Sequence, residues 1–179
     1  MKYISTKIYG TDQEFSCVYR QWRSRHSHRS LLHGYSIGFR LVFESDSLDA
    51  CNWVIDSDGL KAFHDWAKYM FNHTLLVARN DPHIDLFKSW ADLGPQGRGG
   101  ICDLRILEDG VGCEKFAKLA YEEMSRILRK FQDDEHYEFT DHRTGKVHGY
   151  SIGYLMNEQV RLRSVEVFEH AGSSATYEE

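Results

Sequence analysis

Between residues 35 and 43 every second side chain is apolar or aromatic, with Tyr35, Ile37, Phe39, Leu41 and Phe43 sharing one parity. On an extended chain that places them on one face, so the stretch reads as a strand with one side against a core. Residues 3–9 alternate in the same way, and residues 15–22 read as a further strand. The period then changes. Leu60, Phe63, Ala67, Met70 and Phe71 recur at three- and four-residue spacing, as do Phe116, Leu119, Ala120, Met124, Ile127 and Phe131 within residues 113–131. That spacing predicts two helices, each with an apolar side. Asp56, Ser57 and Asp58, after the short apolar run Trp53-Val54-Ile55, are capping types placed where the first helix starts. Residues 93–100, rich in glycine with one proline, read as a loop between the helices.

Strand patterns return after the second helix. Residues 137–140 and 147–155 flank Asp141-His142-Arg143-Thr144-Gly145-Lys146, which has the composition of a hairpin turn. Residues 160–168 form another strand, and residues 175–177 close the sheet. Strands, then helices, then strands again predict an α+β fold: an antiparallel sheet with two helices packed on one face. The length of 179 residues suits a single domain over 1–179.

Charge and composition exclude several classes of function. A net charge of −5 argues against coating nucleic acid by charge alone. With 41% hydrophobic and 27% charged residues the balance is that of a folded globular chain rather than a disordered one. Apolar runs such as Leu41-Val42-Phe43 are far below membrane-spanning length, and the first residues lack a signal-peptide apolar segment. Cys17, Cys51, Cys102 and Cys113 show no short metal or redox spacing. Reduced thiols in the cytoplasm are the expectation.

Five short motifs in order give the chain a relative. Phe15-Ser16-Cys17-Val18-Tyr19 with His33-Gly34-Tyr35, Trp53-Val54-Ile55-Asp56 with Gly59-Leu60-Lys61, Asn72-His73 with Leu76, Gly112-Cys113-Glu114, and Val165-Glu166-Val167-Phe168-Glu169 line up along it. Together they resemble the 6-pyruvoyl-tetrahydropterin synthase and 6-carboxy-tetrahydropterin synthase family, outside residues 132–159, which read as a hairpin-like insertion. The resemblance implies the tunnelling fold, a homo-oligomeric barrel with sites between subunits, and a place in tetrahydropterin or 7-deazaguanine chemistry.

Position by position, the resemblance implies a changed site. The family binds zinc through three histidines and opens its second strand with H-G-H. Here the positions carry Tyr19, His33 and Tyr35, so His33 alone remains. A phenol titrating near 10 is a poor zinc ligand. The catalytic cysteine's position holds Arg29, and the family's Asp-His pair reads Asn72-His73, which leaves His73 as the candidate base. Glu169 matches the family's pterin-anchoring glutamate, whose carboxylate accepts two hydrogen bonds from a 2-amino-pyrimidinone edge. Glu114 is either a ligand-binding residue or a helix-start carboxylate facing free amides. The implied protein is a pterin-synthase-like chain, a pseudoenzyme candidate. It binds a pterin, guanine-like or nucleotide ligand, with no cofactor expected; the alternatives are an active 6-pyruvoyl or 6-carboxy-tetrahydropterin synthase-type lyase with zinc in a rebuilt site, and a non-catalytic oligomeric interaction module.

Two further patterns stand beside that frame. His26, His28 and His33 offer three imidazoles within eight residues, either a relocated metal site or a polar loop; ligand spacing alone rarely decides, which favours the loop. The same loop carries Arg20, Arg23, Arg25 and Arg29 around Trp22, suited to phosphate oxygens, to a stacked base, or to solvent with Asp12 and Glu14 nearby. Finally, His33-Gly34-Tyr35-Ser36-Ile37-Gly38 recurs as His148-Gly149-Tyr150-Ser151-Ile152-Gly153, without flanking identity that would make a repeat array.

Overall fold

The computed structural model describes residues 1–13, 15–92, 100–108, 110–152, 156–170 and 172–179. In chain order it begins with β1 (Tyr3–Tyr9), β2 (Ser16–Tyr19), β3 (His33–Ser36) and β4 (Gly38–Ser45). Then come α1 (Lys61–Phe71), β5 (Thr74–Ala78), α2 (Ile84–Asp92), β6 (Leu104–Leu107) and α3 (Cys113–Gln132). The chain ends with β7 (Tyr137–Thr140), β8 (Val147–Tyr150), β9 (Arg161–His170) and β10 (Ser173–Glu178).

One sheet is antiparallel in the order β1-β4-β9-β10. Its inner face is built from the alternation seen in the sequence: Ile37, Phe39, Leu41 and Phe43 are fully buried, joined by Val165 and Val167 from β9. Against them packs the apolar side of α3, where Phe116, Ala120, Met124 and Ile127 are also fully buried. Each such large side chain contributes roughly 1.5–3 kcal/mol by leaving water. Arg129 and Lys130 in the last turn of α3 face its negative dipole end. This is the expected antiparallel sheet under a long helix.

The strand expected over residues 35–43 is two strands in two sheets. It breaks at Ile37, whose N–H donates to the Phe15 carbonyl (3.0 Å), and the chain passes from β3 into β4. The parity survives the corner, so the same side chains still face inward. The reason for the break is a close approach. A Cβ on Gly38 would collide with the Phe168 ring and lie 2.7 Å from the Tyr9 carbonyl oxygen, so β4 can enter between β1 and β9 only without a side chain there.

The second sheet has the order β3-β2-β5-β6, with β2 antiparallel to β3 but parallel to β5, and β5 parallel to β6. Its parallel half and α2, a third helix where two were expected, are additions to the sequence reading. Parallel strands are covered on both faces and lose the alternating pattern. All five residues of β5 are buried. Leu76 joins the main core, while Leu75 and Val77 turn the other way onto Phe87 of α2.

The start of α1 follows the capping expectation. The Asp56 carboxylate accepts from the Asp58 N–H (2.9 Å), closing a 3-10 turn that runs into the helix. At its other end Asn72 caps the helix and His73 takes a left-handed φ of 56°, a conformation histidine tolerates better than most residues. The chain thereby reverses into β5. The hairpin expected around residues 141–146 forms between β7 and β8, with the Asp141 N–H donating to the Lys146 carbonyl (2.9 Å). Residues 93–99 of the expected loop, Glu14, and the end of the expected strand at 153–155 lie outside the described residues. No described helix is long and apolar enough to cross a membrane.

Candidate functional site

Residues two apart on a strand face the same way, so Cys17 and Tyr19 on β2 share a face with His33 and Tyr35 on β3. The antiparallel register sets Cys17 opposite Tyr35 and Tyr19 opposite His33. The rings of Tyr19 and Tyr35 stack with centroids 4.3 Å apart, and Phe116 of α3 meets Tyr19 edge-on at 5.0 Å. Tyr19 is thus sealed between the second sheet and α3, at 2% exposure.

Glu169 reaches this place from the other sheet. Phe168 pairs with Gly38 across β4 and β9, so the next residue on β9 falls beside the β3–β4 corner. There the half-buried Glu169 carboxylate accepts the Tyr19 hydroxyl. The Cys113 thiol, at the start of α3, is close enough to the same carboxylate to feel its charge. Gly112, with a φ of 127°, opens that helix and aims its first residue at the carboxylate.

The carboxylate and its burial set the state of its neighbours. Burial, reinforced by the Glu169 charge, pushes the Cys17 thiol up to about 12. Cys113 is likewise pushed up to about 12, by burial and then by Glu169. The Tyr19 phenol is raised further, again by burial first and then by its bond to Glu169. Tyr35 is raised by burial and Glu169, while the Arg29 guanidinium acts against that shift. Near neutral pH the four groups near this carboxylate therefore stay neutral and protonated.

The structure sorts the residues singled out from the sequence. Glu169, Tyr19 and Tyr35 are in contact, and exposed Arg29 is near enough for its charge to act on Tyr35. His33 lies at the rim, its ring 6.4 Å from Tyr35 and 5.1 Å from His28, with Nδ1 2.9 Å from the Leu31 carbonyl oxygen. His26 is exposed on the same loop. Glu114 is exposed in the first turn of α3, one residue beyond Cys113, whose thiol feels its charge. His73 is exposed at the α1–β5 reversal, with Nδ1 2.7 Å from the Asn72 side-chain oxygen. Among the described residues no hydrogen bond or ring stacking joins it to Glu169, Tyr19 or Tyr35, and it lines a separate cleft that Cys17 also borders. Arg20, read as part of a basic loop, instead forms a two-point pair with buried Asp81 (2.9 and 2.7 Å).

Sequence reasoning missed Cys17 and Cys113 as members of the cluster. Cys17 carried a usable signal, sitting two residues before Tyr19 on one strand face. Cys113 carried none, because α3 and β9 meet only in the fold. Among the described residues no group of three or more His, Cys, Asp or Glu side chains is arranged to hold a metal ion.

A comparison with protein families matches residues 8–179 to 6-pyruvoyl tetrahydropterin synthase. The chain belongs to that family. Its tunnelling fold recurs in an uncharacterized protein, WS1659, from Wolinella succinogenes, at 16% identity and a TM-score of 0.68, covering 99% of this chain and 98% of that one. The 6-pyruvoyl tetrahydropterin synthase of Plasmodium falciparum matches at 13% identity and a TM-score of 0.58, over 99% and 98% of the two chains. The Caenorhabditis elegans 6-pyruvoyl tetrahydropterin synthase matches at 13% identity and a TM-score of 0.53, over 100% and 95%. At these identities the structures speak for the fold alone. A search of curated proteins returned no match.

Proposed function

We propose that this pterin-synthase-like chain binds a pterin or guanine-like heterocycle through the Glu169 carboxylate, without zinc chemistry. One observation carries the reading: a half-buried carboxylate bonded by the Tyr19 hydroxyl, beside the stacked rings of Tyr19 and Tyr35. Each carboxylate oxygen has two acceptor sites, so the Tyr19 bond leaves capacity for at least two more donors. Adjacent N–H groups of a 2-amino-pyrimidinone edge match that capacity and the planar geometry. Half-buried Tyr35 offers aromatic surface for a flat ring.

The donor set does not fit a catalytic zinc. The Tyr19 phenol keeps its proton and donates it to Glu169, and a zinc site needs three deprotonated or neutral nitrogen, sulfur or oxygen ligands. No step is therefore assigned to a metal, and His73 is assigned none as a base. The Arg29 side chain beside Tyr35 suits a ligand bearing phosphate. We further propose a homo-oligomer, since β1 and β10 end their sheet with unpaired backbone edges that a second copy would cover.

Calorimetric titration of the full chain with neopterin, guanine and guanosine tests this reading. Saturable binding of at least one compound is expected, weakened about tenfold or more in Glu169→Gln, where one acceptor oxygen becomes a donor facing the ligand's own donors. Elemental analysis should find no stoichiometric zinc. Binding that Glu169→Gln leaves unchanged, or near-stoichiometric zinc lost in His33→Ala, would overturn it.

A further inference from the structure

The β7–β8 hairpin lies over α1 and β6, and a cleft of about 370 Å³ opens between them. None of its lining residues belongs to the Glu169 cluster. Tyr69 and Phe139 wall it with rings 5.4 Å apart. At its base lies Arg105, with 6% of its side chain exposed. Its Nη1 and Nη2 grip the Asp103 carboxylate at 2.6 and 3.2 Å, Nη2 also donates to the Tyr69 carbonyl (2.7 Å), and the guanidinium lies 4.2 Å over the Tyr69 ring. Its Nε–H is buried and has no acceptor among the described residues. A charged donor left so is costly.

Donors and acceptors around the cleft are unequally committed. The Asp103 carboxylate is shared by Arg105 and Arg143. Asp65 accepts from Lys61 and from the Tyr150 hydroxyl, and Asp141 accepts from the Arg143 N–H. Each of these carboxylates already accepts at least one hydrogen bond. Arg143, by contrast, spends one nitrogen on Asp103 at 3.2 Å and is more than half exposed. His148 stacks flat on Phe139 at 4.9 Å and makes no hydrogen bond among the described residues.

We infer that this cleft binds an oxyanion, the phosphate or carboxylate group of a small ligand. Arg143 and His148 supply reachable donors, Arg105 supplies the fixed positive charge beneath them, and the Tyr69 and Phe139 rings bound the ligand's body. Guanidinium forks match the planar and tetrahedral oxygens of both groups. The site stands on its own residues, so its fate is independent of the Glu169 reading.

Calorimetric titration of the full chain at low ionic strength, with inorganic phosphate and separately with acetate, tests it. At least one anion should bind saturably, and Arg143→Gln, a change at an exposed side chain, should weaken it about tenfold. Thermal unfolding of that variant at the wild-type temperature shows that the fold is kept. Saturation by phosphate alone assigns a phosphate group, and by acetate alone a carboxylate. Absence of saturable heat with both anions, or binding that Arg143→Gln leaves unchanged, overturns the inference.

Discussion

The hexapeptide His-Gly-Tyr-Ser-Ile-Gly occurs twice, and its two copies meet different surroundings. The copy at residues 33–38 turns the corner from one sheet into the other: Tyr35 stacks on buried Tyr19, Ile37 is fully buried, and Gly38 admits Phe168. In the copy at residues 148–153, as far as it is described, His148 and Tyr150 sit in a two-stranded hairpin. There the Tyr150 hydroxyl donates to Asp65 of α1 (2.8 Å), and Ile152 is half-buried. Local propensity is the same in both, so pairing partners make the difference. β3 pairs with β2 inside a four-stranded sheet, whereas β8 pairs with β7 in a two-stranded one. An isolated hairpin is marginal in water, and side-chain bonds to α1 supply what sheet neighbours do not.

The comparison can be broken at the glycines first. Gly38→Ala should cost about 1–3 kcal/mol, because the new Cβ meets the Phe168 ring and the Tyr9 carbonyl, and a backbone oxygen cannot swing aside. Gly34→Ala, in the same copy but with nothing within 4 Å of its Cβ, should stay within about 0.5 kcal/mol of wild type. Chemical denaturation of both variants decides whether the corner or the peptide itself demands glycine. Equal losses would sink the argument.

The tyrosines come next. Tyr150→Phe removes a hydroxyl that donates to Asp65 and should cost about 1 kcal/mol. Tyr35→Phe removes a hydroxyl with no hydrogen bond among the described residues, and should cost less than about 0.5 kcal/mol. Thermal melts of the two variants should therefore rank the copies in the opposite order from their apolar burial.

The smallest expected effect is in acid. Burial alone would raise the Asp65 carboxyl, but hydrogen bonds from Lys61, Tyr150 and His64 outweigh it and hold the group below the ordinary carboxylate range. A carboxyl depressed in the folded state stabilises fully above its unfolded value of about 3.9, and that contribution fades as pH falls through the folded one. The stability gap between wild type and Asp65→Asn should accordingly narrow once pH drops below about 4. A gap that is constant down to pH 2 would contradict the pairing.

Much of the first sheet could be read directly. Ile37, Phe39, Leu41 and Phe43 declared their face because an antiparallel strand with one solvated side must alternate. The helix around Phe116 and Met124 was equally visible through its 3.6-residue period. Thr74 to Ala78 was not, since a strand buried on both faces shows no alternation, and the nine residues of α2 bury only Phe87, too short a stretch to repeat a period. Within the candidate site, the motif positions Tyr19, Tyr35 and Glu169 were legible, and the fold brings those three together. That Cys113 joins them, while His73 makes no hydrogen bond to them among the described residues, was invisible. Neither fact depends on neighbours in sequence.

By itself the sequence determined the periods of its elements, the inward parity of residues 35–43, and the tyrosines at positions 19 and 35. These are local properties, written in spacing and residue type. Only the tertiary structure decided that the strand changes sheets at Ile37, that one hexapeptide is core and the other a docked hairpin, and that Glu169 from β9 meets Tyr19 from β2. Such contacts join residues far apart along the chain. They exist only when the sheets and α3 close on one another and bury the carboxylate among protonated partners.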